Sequence, residues 1–124
     1  MKQAVDRGSP TGAYSPAVIA EGRFVHVSGQ GPLADGAYRP GTIEQETELT
    51  LRNLEAILVA AGASLADVVK CGVFLASIDD FAGMDAAYRA AFEGAGVLPA
   101  RTTVGGQQLA FGIKVEIDCV AVLP

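Results

Sequence analysis

The chain has 124 residues, half of them apolar, with 9 Lys+Arg against 14 Asp+Glu and a formal charge of −5. That length suits one domain with a core of its own. The negative balance and singly scattered basic residues argue against a polyanionic partner but leave small anionic substrates open, because one placed arginine can hold one carboxylate.

No run reaches the roughly 18 apolar residues of a spanning helix, and "MKQAVDRGSPTGAYSP" lacks the apolar core of a secretory signal. A soluble, cytoplasmic protein is therefore expected. The mean hydropathy of +0.33 is high for so short a chain. Part of that apolar surplus is expected to be buried against other copies of the chain.

In chain order, the first 16 residues are rich in Gly, Pro, Ser and Thr and read as a loop-like arm. Residues 17–20 and 23–28 read as two strands about a turn at Glu21-Gly22. "SGQGP" ends the second strand, and "LADGAYRPG" reads as loop with a turn at Asp35-Gly36.

Thr42 and Gln45 have the spacing of a capping box, which predicts a helix over 43–61. Leu51, Leu54, Ile57, Leu58 and Ala61 form its apolar face, and Gly62 ends it. "DVVKCGVFLAS" (67–77) reads as a buried strand. Asp79 or Asp80 can cap a second helix with a stripe of Phe81, Met84, Tyr88, Ala91 and Phe92, ended by Gly94 and Gly96.

A fourth strand runs from near Arg101 to about Gln107. "FGIKVEIDCVAVLP" is a fifth, with Ile113, Val115, Ile117, Cys119 and Ala121 alternating with charged residues. The order ββ-α-β-α-β-β predicts an α+β domain over 1–124, a mixed sheet with both helices on one face. The other face begins polar at Lys114, Glu116 and Asp118 and turns apolar at Val120 and Val122. A partner subunit is its natural cover.

Cys71 and Cys119 sit in apolar strand patterns and read as buried free thiols. With His26 as the only histidine and no C-x-x-C, no metal site is expected. A Ser–His–Asp triad would need His26, which falls mid-strand. "VGGQQ" has neither the lysine nor the strand–helix context of a phosphate loop.

Arg101 and Glu116 remain as charges at strand positions. If their strands form a hairpin through the loop at about 108–112, the two sit close in space. They are then either a structural salt bridge or a working pair. In the second case the planar guanidinium holds a substrate carboxylate and the glutamate handles water or a proton.

The chain resembles the RidA family, also called YjgF or L-PSP endoribonuclease. The likeness rests on "GAYSPA" (12–17), "VSGQGP" (27–32), "NLEAILVAAGASLADVVKCGVFL" (53–75), "AYRAAF" (87–92), "LPARTTV" (98–104) and "IKVEI" (113–117). The resemblance implies a chorismate-mutase-like fold, a homotrimer with clefts between subunits, and hydrolysis of reactive 2-imino acids to 2-oxo acids and ammonia without a cofactor. It gives Arg101 the substrate carboxylate and Glu116 the attacking water. Tyr14 and Ser28 then line the pocket, and Gly29 offers backbone contact.

Two departures from the family bear on the site. Thr103 stands where many deaminase-type members have cysteine, and Asp85 where many have asparagine. A carboxylate at 85 would repel an anionic substrate or pair with Arg101. "QQLAFG" also lacks a proline common in that loop. Two further readings use the same chain: a small-carboxylate sensor that needs Arg101 but no general base, and an endoribonuclease, which the charge and the single histidine disfavour.

Overall fold

The chain runs β1 (Lys2–Val5), β2 (Ala17–Ala20), β3 (Phe24–Gln30), β4 (Leu33–Ala34), β5 (Ala37–Tyr38), α1 (Ile43–Ala60), β6 (Val68–Leu75), α2 (Phe81–Ala91), β7 (Ala100–Val104) and β8 (Val115–Val122). The computed structural model describes residues 2–124. The central sheet has the order β3-β8-β6-β7. β8 lies antiparallel to both β3 and β6, and β7 lies parallel to β6 at the edge. A parallel pair needs a long crossover, and α2 supplies it.

Both helices lie on one face of this mixed sheet, and the fold is α+β, as the sequence predicts. Thr42 and Gln45 make both bonds of the capping box. At the other end the Ala63 N–H donates to the Leu58 carbonyl at 2.8 Å and the Gly62 N–H to Val59 at 3.0 Å. These two bonds form the Schellman closure expected of Gly62. Leu51, Leu54 and Leu58 of α1 and Met84 and Tyr88 of α2 pack on Cys71, Val73, Leu75, Val115, Ile117 and Cys119 of the sheet. Ile57, placed on the apolar face by the sequence, is instead 39% exposed.

The buried face of α1 is less apolar than its leucines imply, because Glu46, Thr47 and Thr50 are buried on it. Glu46 is fully bonded. Its Oε2 accepts from Tyr38 Oη at 2.7 Å, from the Gly41 N–H at 3.1 Å and from Lys114 Nζ at 3.1 Å, and its Oε1 from the Lys114 N–H at 2.9 Å. Burial alone would raise its pKa, but these donors outweigh it and hold the carboxyl below its ordinary value. The same contact pushes Tyr38, chiefly through burial, up to about 12.

Several local expectations differ from the structure. The arm is not all loop, because residues 2–5 form β1, which pairs antiparallel with β2. Lys2 Nζ pins that ribbon by donating to the Val97 and Ala66 carbonyls at 2.7 and 3.1 Å. β2 and β3 do not form a hairpin together, since β3 pairs with β8. "LADGAY" is a small β4–β5 hairpin about Asp35-Gly36, with φ of 52° and 74°.

β7 ends at Val104, short of Gln107. At the start of α2 the side-chain cap comes from Ser77, whose hydroxyl accepts from the Asp79 N–H at 3.2 Å; Asp80 takes the N-cap position without a side-chain bond.

Neither α1 nor α2 covers the other face of the sheet. It carries Glu116, Asp118 and Val120 of β8, Phe74 of β6, Val104 of β7, and Phe24 and His26 of β3. Phe24 is 48% and Val104 38% exposed. Lys114 is not on this face, because its amine turns to Glu46. No helix among the described residues is long and apolar enough to cross a membrane.

Candidate active site

Arg101 stands on β7 in register with Cys71 of β6, which is itself in register with Cys119 of β8. Paired residues share a face, so the arginine points to the helix side, into the core. Its side chain is 1% exposed. A guanidinium there needs compensation, and α2 and the segment before β2 provide it.

Nη1 contacts Asp85 Oδ1 at 2.9 Å and donates to the Ala13 carbonyl at 3.3 Å. The same Oδ1 accepts from the Ala13 N–H at 2.8 Å. Three aromatic rings surround the guanidinium carbon, with centroids at 4.8 Å (Tyr88), 5.3 Å (Tyr14) and 5.5 Å (Phe81). Such faces attract a cation through the ring quadrupole.

This cage is incomplete. Nη2 is buried with no hydrogen-bond partner among the described residues. The backbone beside it is Gly12, where a Cβ would sit 2.9 Å from Nη2, 3.0 Å from Asp85 Oδ1 and 3.3 Å from the Tyr14 ring. A side chain at 12 would fill the place next to the free donor. The Tyr14 hydroxyl is held by Thr11, its Oη 3.3 Å from the Thr11 N–H and 3.0 Å from Oγ1. Thr103, two residues beyond Arg101 on the same face, has a buried hydroxyl, also unpartnered.

Glu116 lies elsewhere. It is in register with Phe74, and through it with Val104, on the open face. Between Val27 and Gln30 the pairing of β3 with β8 shifts register, so Ser28 and Gly29 form a bulge. The Glu116 carboxylate lies against Gly29, and any Cβ there would collide with Oε2.

The sequence residues therefore fall into two groups. Arg101, Asp85 and Tyr14 meet on the helix side, and Glu116, Ser28 and Gly29 meet on the open face. The expected hairpin between the strands of Arg101 and Glu116 does not exist, because β6 lies between β7 and β8. Strand alternation then sends the two side chains to opposite faces.

Sequence reasoning placed Phe81 and Tyr88 in the core but missed them as walls around the cation. The available signal was Asp85 itself, an acid on the apolar stripe of α2 between Met84 and Tyr88. Cys71 adjoins Arg101 in the sheet, Cys119 lies on the far side of Cys71, and both are buried free thiols. Burial pushes Cys71 up to about 11 and Cys119 to about 12. Among the described residues no cluster of His, Cys, Asp or Glu is arranged to hold a metal.

The model of the family described as Endoribonuclease L-PSP matches residues 4–123. The chain belongs to this family, that of the RidA/YjgF proteins. Its relatives include the mitochondrial protein mmf2 of Schizosaccharomyces pombe, 42% identical over 89% of this chain and 87% of that protein. Another is the 2-iminobutanoate/2-iminopropanoate deaminase of Rattus norvegicus, 40% identical over 90% of this chain and 80% of that one.

Among solved Rid structures, Escherichia coli TdcF with bound serine superposes with a TM-score of 0.77 at 31% identity, covering 98% of this chain and 99% of that one. The Rid fold of this chain thus comes with relatives that are named deaminases.

Proposed function

We propose that this protein is a 2-iminobutanoate/2-iminopropanoate-type deaminase, acting as a homotrimer with sites between subunits. The observation that carries the reading is the unpartnered Nη2 of Arg101, a fixed donor in an aromatic cage, with only the side-chain-free backbone of Gly12 packed beside it. A buried donor left free in this way suits a ligand carboxylate. The name of the rat relative supports the reaction, and the serine in the TdcF structure supports a ligand of this size.

The reaction needs little chemistry from the protein. Water adds to the C=N carbon of the 2-imino acid, and Glu116 takes a proton from that water. That proton passes to nitrogen to give the carbinolamine. The carbinolamine hydroxyl proton is then carried to the same nitrogen by Glu116, the C–N bond breaks, and ammonia leaves a 2-oxo acid. The imine carbon is already electrophilic, so orientation and proton transfer suffice. Tyr14, Asp85 and Thr103 belong to the Arg101 side of the pocket. Ser28 and Gly29 belong to the Glu116 side, where the bulge aims the carboxylate.

One chain holds these halves on opposite faces of a sheet, so two copies are needed to bring them together. The open face, with Phe24, Phe74, Val104 and Val120, is the natural seat for the neighbour. An assembly of this kind buries more than about 2,000 Å² at an obligate interface. Sedimentation is expected to show a trimer at micromolar concentration, and a stable monomer would remove the shared site.

The activity is tested by generating a 2-imino acid beside the protein and following its decay above the uncatalysed rate. Glu116→Gln is expected to lower kcat by roughly two to four decades while a 2-oxo acid still binds. If that variant keeps wild-type turnover, Glu116 is not the proton acceptor. If the wild type binds the 2-oxo acid but does not speed imine decay, the sensor reading replaces the enzyme.

A further inference from the structure

We infer that Asp85 makes the Arg101 pocket selective for zwitterionic α-nitrogen acids, α-amino or α-iminium carboxylates, over plain 2-oxo anions. This rests on the proposed reading of Arg101 as the carboxylate holder.

The pocket presents two opposite charges side by side. Asp85 Oδ1 is taken up by Arg101 Nη1 at 2.9 Å and by the Ala13 N–H at 2.8 Å. Its Oδ2 makes no hydrogen bond among the described residues. Arg101 is in the mirror situation, with Nη1 engaged and Nη2 buried and free. The Asp85 side chain remains 18% exposed. Nη2 and the Asp85 carboxylate flank the same stretch of backbone, Gly12, where a Cβ would press on both, 2.9 Å from Nη2 and 3.0 Å from Oδ1.

In the proposed assembled site Glu116 of a neighbouring copy adds a second carboxylate, which tips the balance further against a plain anion. The Tyr14, Phe81 and Tyr88 rings around the guanidinium carry no charge, and burial keeps Tyr88 neutral by raising its pKa. Locally the pair sums to zero. A 2-oxo acid brings one negative charge, which gains at Nη2 and is repelled by Asp85. An α-amino or α-iminium acid brings its carboxylate to Nη2 and its cationic nitrogen toward Oδ2, so both free atoms gain a partner. Discrimination of this type comes as much from the repelled competitor as from the preferred ligand. Protonated imine nitrogen is also the form whose carbon water attacks more readily. An acid beside Arg101 therefore favours the reactive protonation state of the proposed substrate.

The test compares two ligands of the same carbon skeleton, 2-aminobutanoate and 2-oxobutanoate, by calorimetric titration of the full-length protein. The wild type is expected to bind the amino acid at least about tenfold more tightly than the oxo acid. Asp85→Asn keeps an oxygen for the Ala13 N–H and removes the charge. It is expected to reverse the order, tightening the oxo acid and weakening the amino acid by about tenfold each. Arg101→Ala should lose both ligands, and Gly12→Ala should weaken both by pressing a methyl group against Nη2 and the Asp85 carboxylate.

The inference is overturned if the wild type binds 2-oxobutanoate as well as 2-aminobutanoate, if Asp85→Asn leaves the ratio unchanged, or if the wild type binds neither. Imine decay is read separately. Absence of turnover with the amino-acid preference intact removes the deaminase and leaves the selectivity standing.

Discussion

Two carboxylates on the two helices, Glu46 buried and Asp85 partly so, hold cations in different ways. Glu46 of α1 receives four donors: Tyr38, the Gly41 N–H, and the N–H and amine of Lys114. Both oxygens are engaged, and the carboxylate ties the β4–β5 hairpin, the start of α1 and the approach to β8 together. Asp85 of α2 holds Arg101 by one oxygen only, and Arg101 leaves Nη2 empty inside a ring of aromatics. A network built for stability satisfies its members, because each unmet buried group costs free energy. On the proposed reading, the donor that the second pair leaves unmet is kept for a ligand, so the first cluster is scaffold and the second is site.

The sharpest break of this comparison is Arg101→Lys. Lysine keeps the charge and loses the planar fork, so kcat/KM toward 2-iminobutanoate should fall by roughly two decades or more. Thermal unfolding should move far less than activity does. A lysine variant with full turnover would show that the fork is not what the site uses.

The converse substitution is Glu46→Ala. It strands Lys114, Tyr38 and the Gly41 N–H, and should cost about 3 kcal/mol or more in unfolding free energy. Activity per folded molecule should be little changed. Lys114→Met should cost less, about 1 kcal/mol, because that amine is partly solvated and the Lys114 N–H still donates to Glu46. Equal losses from the two variants would mean that the charge, not the full set of bonds, holds the cluster.

The smallest effect is in acid. The folded pKa of Glu46 lies below its ordinary value of 4.5, so the unfolded chain binds its proton first. Its contribution is fully present above that ordinary value and is lost as pH falls from there through the lowered folded value. Urea unfolding between neutral pH and pH 3 should show this decline, and Glu46→Gln should flatten it. An unchanged slope in that variant would place the acid dependence on other carboxyls.

Much of the fold was legible because it is written in local rules. Thr42 with Gln45, Gly62 after Leu58, and the alternation from Val115 to Ala121 each act over a few residues, and each appears where its pattern puts it, whereas Lys114, ahead of the strand, turns to Glu46. The short β1 ribbon was not legible, because its strand depends on pairing with β2 and on Lys2 reaching the Val97 and Ala66 carbonyls, far along the chain. Asp35-Gly36 signalled the turn, but the two-residue strands beside it carry too little pattern to be seen.

The sequence by itself determined the family, the α+β class, and Arg101, Glu116, Tyr14 and Asp85 as residues to watch. Their types and motifs survive in one dimension. Only the tertiary structure decided that Arg101 and Glu116 lie apart, since strand order is a property of pairing and not of succession. With β6 inserted between β7 and β8, and with side chains alternating along each strand, neighbours in the sequence order point to opposite faces. Only the tertiary structure also decided the competing fates of Asp85. Repelling a substrate and pairing with Arg101 were equally open until α2 crossed over β7 and set Oδ1 2.9 Å from the guanidinium.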